Sequence, residues 1–137
     1  MPISRVRTVT VFYIACAKSR VYSKNILSLL LQKGANANSK NMKGETPLHC
    51  LGYNRHEPIE ILLDHGASLN ERDDEGQTPL FVACKKLNRD VVVTLLQAGA
   101  DPTIPDNYGQ YCTSFFGKRY PRMVCLMQVS HYYCVLN

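Results

Sequence analysis

The chain has 137 residues, which suits a single domain, and 45% of them are hydrophobic, a share that argues against wholesale disorder. The net charge of +5 is distributed as +8 over residues 1–44, −6 over residues 45–107 and +3 over the remainder. Solvated faces account for this pattern, so we expect neither a nucleic-acid partner nor membrane association.

The N-terminal segment has the outline of a signal peptide. Arg5 and Arg7 precede an apolar run at residues 9–14, and small residues follow at positions 15–17. The apolar run is short and is interrupted by Thr10. The favoured interpretation therefore keeps these residues in the mature protein, with cleavage after residue 17 as the alternative.

Two short sequence words recur along the chain at one period. The first is Leu-Leu-x-x-Gly-Ala, whose glycines are 32 and then 33 residues apart, and the second is Gly-x-Thr-Pro-Leu. The first word occupies residues 30–35, 62–67 and 95–100, the second occupies residues 44–48 and 76–80, and a third copy of the second begins at Gly109. Two independent words with one period indicate an array of similar structural units.

Each word predicts the start or the end of a helix. Thr46 and Thr78 are placed to cap a helix N-terminus, and the proline after each fits the first helical position, where no N–H donor is needed. A polar break and a second apolar run follow, which end at the glycine of the first word, a residue suited to the left-handed conformation that stops a helix. We therefore predict antiparallel helix pairs over residues 46–66 and 78–99, each followed by a polar loop.

Apolar side chains at helical spacing define the predicted core. Leu62 and Leu95 lie in the second helix of each pair and are predicted to pack between layers. Cys50 and Cys84 lie at related positions of the first helices and are predicted to be buried and unpaired. Small buried thiols favour an intracellular setting, and we expect the cytoplasm or the nucleus.

The Thr-Pro-Leu-His sequence at residues 46–49, the first word and the period of about 33 residues together resemble the ankyrin repeat. The resemblance is strong over residues 44–110 and fair over residues 24–43. It implies an all-α solenoid of stacked helix-turn-helix units with hairpin-like finger loops. The implied divisions are a divergent N-terminal capping repeat at 1–43, repeats at 44–75 and 76–108, and a divergent C-terminal cap or docking tail at 109–137.

The tail departs from the pattern of the family. After Gly109 the sequence contains Tyr-Cys-Thr-Ser-Phe-Phe in place of Thr-Pro-Leu-His, and the segment is rich in Tyr, Phe, Met and Cys, unlike a polar cap. Three interpretations stay open, namely a divergent cap, a docking segment and the foreign end of a truncated reading frame. The last four residues also resemble a prenylation box at Cys134, although a final Asn is not favoured.

Catalytic and metal-binding patterns are lacking. His49 belongs to the Thr-Pro-Leu-His sequence and is expected to have a structural role, and no phosphate-binding loop is present. A zinc site would need paired short cysteine spacings, which are missing from the candidate ligands Cys112, Cys125, His131 and Cys134. The acidic run at residues 73–75 lacks the ligand spacing of a calcium loop. We expect a non-enzyme with no cofactor.

The resemblance also implies where a partner binds. Ankyrin proteins usually bind partners on the concave surface between the finger loops and the inner helices, at outward-facing, variable positions. Mapped onto this chain, these positions are Met42, Lys43, Glu45, Tyr53, Asn54, Asp74, Glu75, Gln77, Lys85, Lys86, Asn107, Tyr108 and Gln110.

The function predicted from the sequence is therefore that of an interaction module. We expect a monomer that binds another protein as an intracellular adaptor, scaffold or inhibitor. The alternatives are a secreted or lipid-anchored ankyrin interaction protein and a truncated fragment of a larger ankyrin protein.

Overall fold

The computed structural model describes residues 23–51, 57–116, 120–122 and 125. Within these ranges the chain forms five α-helices with defined bounds and one 3₁₀ helix, residues 121, 122 and 125 are also helical, and there is no β-strand. The α-helices are α1 (Ser23–Gln32), α2 (Pro47–Leu51), α3 (Glu57–Asp64), α4 (Pro79–Lys85) and α5 (Arg89–Gln97), and the 3₁₀ helix spans Cys112–Phe115. The predicted all-α architecture is confirmed, with a helix pair in each of the two predicted segments.

The second helix of each unit ends at the Leu-Leu-x-x-Gly-Ala word, whose backbone geometry is the same in every copy. Its glycine has φ of +97°, +85° and +99° at residues 34, 66 and 99. In every copy the N–H of the following alanine donates to the carbonyl of the first leucine at 3.0 Å, and the glycine N–H donates to the carbonyl of the second leucine. These two bonds form a Schellman motif, in which a left-handed residue lets the chain turn back over the helix end. The word recurs because the same helix end recurs.

The two predicted caps differ. Thr78 is extended and its hydroxyl accepts the N–H of Phe81 at 3.2 Å, as a helix cap should. The hydroxyl of Thr46 instead lies 2.8 Å from Nδ1 of His49. Among the described residues no backbone N–H donates to the Thr46 hydroxyl, so the cap bond predicted at Thr46 is absent.

The core runs between the layers as well as within each helix pair. Helix α1 contacts α3, and α2 contacts α4, so consecutive units stack on one another. Leu62 and Leu95 are fully buried, as predicted. Cys84 is fully buried and free, whereas Cys50 is free but only partly buried, so the prediction of burial holds for one of the two. Cys50 is the penultimate residue of the short helix α2.

The segment after the last finger continues the core with aromatic side chains. The ring of Phe115 meets that of Phe81 on α4 edge to face, with centroids 5.3 Å apart. Phe116 is fully buried, and its ring packs against Tyr120 at 5.9 Å. The guanidinium of Arg89, at the start of α5, lies 4.0 Å from the centre of the Tyr120 ring. These contacts attach the first part of the tail to the last helix pair.

Candidate protein-binding surface

Three finger tips, at residues 41–45, 73–77 and 106–110, share one backbone conformation. Each begins with an Asn or Asp whose Oδ1 accepts the N–H groups two and four residues ahead, at 2.8–3.0 Å. The glycine in fourth place has φ of +72°, +76° and +77° in the three tips. An Asn or Asp three residues before the glycine is therefore the sequence signal for a tip, because the short side chain replaces a backbone acceptor.

The tips are joined side by side through their backbones, and we call this arrangement the tip row. The Asp74 N–H donates to the Lys43 carbonyl at 3.1 Å, and the Asn107 N–H donates to the Glu75 carbonyl at 3.0 Å. The side chain of Arg72 donates to the carbonyls of Gly76 and Pro105 at 3.0 and 3.1 Å. A Cβ added at Gly76 would lie 2.7 Å from the Asn107 backbone nitrogen, so the close approach requires glycine. The surface is thus built on fixed backbone.

A groove of about 300 Å³ lies between the first two tips and α4. Seven of the thirteen residues predicted from the sequence line it, namely Met42, Lys43, Glu45, Asp74, Glu75, Gln77 and Lys85. Asp73 and Val82 also line the groove and were not predicted. Val82 precedes Lys85 by three positions and so shares its helical face, a spacing that could have identified it.

The predicted residues outside the groove fall into two groups. Asn107, Tyr108 and Gln110 form the exposed third tip, and Lys86 is exposed at the end of α4. Tyr53 and Asn54 lie outside the described residues, as do residues 1–17, His131 and Cys134. The predictions of signal cleavage and lipidation and the ligand set of a zinc site therefore fall wholly or partly on residues that the structure does not describe.

Gln77 is largely buried rather than outward-facing, and its contact with a partner stays a prediction. Its exposed fraction is 7%, and its Nε2 donates to Oε2 of Glu75 at 3.1 Å. Its carbonyl accepts both the N–H of Asp73 at 2.9 Å and Nε2 of His49 at 2.8 Å. Gln77 supports the groove from beneath, because the backbone at the end of the tip turns inward to start α4.

His49 links the first unit of the groove to the second. The Thr46 N–H donates to Nδ1 of His49 at 3.0 Å, so this nitrogen carries no proton. Nε2 therefore carries the proton and donates it to the Gln77 carbonyl. Burial lowers the pKa of His49 from its ordinary value of 6.5, and it outweighs the hydrogen bond to Gln77 and the nearby charges of Asp73 and Glu45, which act in the opposite direction. The predicted structural role of His49 is confirmed.

The charges of the groove are unequal. Four carboxylates (Glu45, Asp73, Asp74, Glu75) and two ammonium groups (Lys43, Lys85) line it, which gives a formal charge of −2. Neither lysine forms an ion pair with a described residue, and the ion pair between Lys40 and Glu71, at 3.2 Å, lies apart from the groove lining. The groove is thus an acidic surface in a chain whose net charge is positive.

Cys50, Cys84 and Cys112 are free thiols in partly or fully buried positions, whereas Cys125 is free and exposed. Burial raises the pKa of the Cys50 thiol to about 12. The pKa of Cys84 is raised by its hydrogen bond with the Cys112 thiol and by burial. Cys112 itself donates to the Pro102 carbonyl at 3.3 Å. A protonated thiol is a weak nucleophile and a poor metal ligand, so neither Cys50 nor Cys84 is suited to catalysis.

Within the described ranges no cluster of three or more His, Cys, Asp or Glu side chains could hold a metal ion. The helices of the same residues are all too short or too polar to cross a membrane.

Comparison with known families gives one match. A family model described as ankyrin repeats, in three copies, matches residues 12–106, which is well over half of the chain. No curated protein matches the sequence. The match starts at residue 12, before the first copy of the Leu-Leu-x-x-Gly-Ala word at residues 30–35.

Proposed function

The chain belongs to the ankyrin-repeat family, whose repeats are generally protein–protein interaction modules, and from that premise we propose that a partner protein binds the tip row and the adjoining groove. The observation that carries the proposal is the exposure of two large side chains on a fixed backbone. Met42 is fully exposed and Tyr108 is 79% exposed, each in a tip whose backbone is hydrogen-bonded to the next tip.

This combination favours binding for two reasons. Methionine and tyrosine are enriched in interfaces relative to the rest of the surface, and burying them removes apolar area from water. A backbone that is already ordered loses little entropy when the partner docks. Ile26 and Leu29 are also exposed, but they lie on helix α1 and not in the tip row.

The cellular role that fits these features is that of a monomeric adaptor, scaffold or inhibitor in the cytoplasm. Support comes from the free state of the described cysteines, which suits a reducing compartment. Ankyrin repeats are typically non-enzymatic, and we assign no catalytic role to the chain. The aromatic contacts of Phe115, Phe116 and Tyr120 favour a cap over a free docking tail for that part of the C-terminal segment.

The test is site-dependent crosslinking in the cell of origin. A photoreactive phenylalanine analogue replaces Met42 or Tyr108 in the full chain, and crosslinked proteins are identified by mass spectrometry. We expect both positions to crosslink the same partner. Matched controls carry the analogue at Glu60 or Gln97, which are exposed on the outer helices α3 and α5. If the outer positions crosslink a partner and the tip positions do not, the partner uses the opposite face and the proposal fails.

The same partner then allows an affinity measurement. The double change of Met42 and Tyr108 to alanine is expected to weaken binding about thirtyfold or more, the effect of removing a well-buried anchor. The double change of Glu60 and Gln97 to alanine should leave affinity unchanged, and circular dichroism should show equal helix content in both variants.

A further inference from the structure

We propose that the groove between the first two tips selects a partner segment in which one lysine or arginine stands next to a large apolar side chain. This inference rests on the proposed function and specifies the chemistry of the partner. It is carried by the shape of the groove, by the charges that line it and by the exposed methionine at its edge.

In the groove, the carboxylate of Asp73 and the backbone of Asp74 are held in place before any partner arrives. Oδ1 of Asp73 accepts the N–H groups of Glu75 and Gln77 at 3.0 and 2.8 Å. Asp74 is fixed through its backbone, because its N–H donates to the Lys43 carbonyl and its own carbonyl accepts Nδ2 of Asn107 at 2.9 Å. The carboxylate of Asp74 has no hydrogen bond or ion pair with a described residue, so it is available to an incoming cation.

A guanidinium or ammonium group is the complement of such a surface. Charge-assisted hydrogen bonds to carboxylates are stronger than neutral ones, and pre-organised acceptors lose little entropy on binding. The formal charge of −2 in the groove attracts a single cation. The ammonium groups of Lys43 and Lys85, on the same surface, oppose a long run of basic residues, so the site favours one basic side chain rather than a polybasic tract.

The apolar part of the preference comes from Met42 and Val82. Met42 is fully exposed beside the carboxylates, and its flexible thioether side chain can adapt to a leucine or an aromatic ring. Val82 lines the groove from α4. A volume of about 300 Å³ is at the lower limit of ligand pockets, which suits one or two side chains of a docked segment rather than a whole cofactor.

The test uses nuclear magnetic resonance of the ¹⁵N-labelled full chain with three blocked peptides. The first is Ser-Gly-Leu-Arg-Phe-Gly-Ser, the second replaces arginine with citrulline, which keeps the shape without the charge, and the third replaces it with glutamate. We expect the arginine peptide to shift the amide signals of Lys43, Asp74 and Glu75 with a Kd of roughly 1 mM, as befits a short segment. The citrulline peptide should bind at least fivefold more weakly, and the glutamate peptide should cause no shift.

A matched pair of variants separates charge from shape. The double variant Asp74→Asn, Glu75→Gln keeps side-chain size and should weaken binding of the arginine peptide at least fivefold. Glu60→Gln removes an exposed carboxylate from the outer helix α3 and should leave binding unchanged. Equal shifts with the glutamate and arginine peptides, or no effect of the double variant, overturn the inference.

Its failure is distinct from failure of the proposed function. If the crosslinking test identifies a partner at Met42 and Tyr108 while the arginine peptide leaves the groove signals unmoved, binding through the tip row stands and the basic–apolar preference falls. If neither position crosslinks a partner, the proposed function itself fails, whatever the peptides do.

Discussion

The helix ends of the repeats and the C-terminal residues 111–116 and Tyr120 belong to one stack, but they are held by different means. Each repeat ends in a Schellman motif, in which backbone bonds around a glycine fix the chain locally. The C-terminal segment is held by side chains that pack over long range, with Phe115 against Phe81 and Tyr120 against Arg89. The helix ends can be recognised from the recurring Leu-Leu-x-x-Gly-Ala word. The packing of the C-terminal segment depends instead on which side chain each aromatic ring contacts in the folded chain.

The largest expected effect tests whether the C-terminal segment is a true cap. Phe116→Ala should lower the free energy of unfolding by about 3–5 kcal/mol, because the ring is fully buried and its removal leaves a cavity next to the last helix pair. In a stack each unit depends on its neighbours, so the loss should loosen α4 as well. Urea denaturation followed by circular dichroism measures the change.

Two further variants give changes in the free energy of unfolding with which that of Phe116→Ala can be compared. Leu95→Ala, in a fully buried position of a repeat, should cost about 2–5 kcal/mol. Tyr111→Ala, in the same segment as Phe116 but 49% exposed, should cost about 0.5 kcal/mol or less. If Phe116→Ala costs no more than Tyr111→Ala, residues 111–120 do not cap the stack.

A smaller effect concerns the bond network of His49, which joins two repeats. The pKa of His49 in the folded chain lies below its unfolded value of 6.5. At a pH between the folded and the unfolded pKa, the unfolded chain therefore binds more protons than the folded one. The contribution of His49 to the free energy of unfolding should therefore be fully present above about pH 6.5 and should decrease as the pH drops below that value. The physical reason is that protonation of Nδ1 breaks its bond from the Thr46 N–H and places a charge in a buried site.

Urea denaturation at pH 8, 7, 6 and 5.5 measures this dependence. His49→Gln removes the titrating group and should cost about 1–3 kcal/mol at pH 8, because buried donors and acceptors lose their partners. The variant should also show a smaller decrease in stability between pH 7 and 5.5 than the parent chain. Parallel curves for the two proteins would mean that another group is responsible.

The fold could be predicted from the sequence where local backbone geometry dictates residue type. Glycine is needed at φ near +90° after each outer helix, and Asn or Asp begins each tip. Both features fix a residue type at a repeating position, which can be recognised in the sequence. The contacts of Phe116 could not be predicted, because an isolated aromatic residue carries no period. The inward turn of Gln77 was also missed, since its burial follows from the His49 bond across repeats. Exposure of the tips could be predicted, but the groove between the first two tips and α4 could not.

The smallest expected effect concerns the end of α4, a helix end that the Leu-Leu-x-x-Gly-Ala word does not mark. Leu87 has the position after α4 that glycine takes after the outer helices. Its N–H donates to the Cys84 carbonyl, and the N–H of Asn88 donates to the Ala83 carbonyl, both at 3.0 Å, which is the same pair of bonds. Leu87 has φ of +55° and is 47% exposed, so it adopts a left-handed conformation without burying its side chain. A non-glycine residue in that conformation costs about 1–2 kcal/mol.

Leu87→Gly should therefore raise the free energy of unfolding by about 0.5–1 kcal/mol, since relief of the left-handed strain exceeds the greater entropy that glycine has in the unfolded chain. Leu87→Ala is the matched control, because it removes the same exposed side chain but keeps the Cβ that causes the strain. The urea midpoint should rise for glycine and stay level or fall for alanine. A rise of equal size in both would assign the effect to loss of the exposed leucine side chain. In that case the helix end at Leu87 would differ in energy from those at the glycines, although its hydrogen bonds are the same.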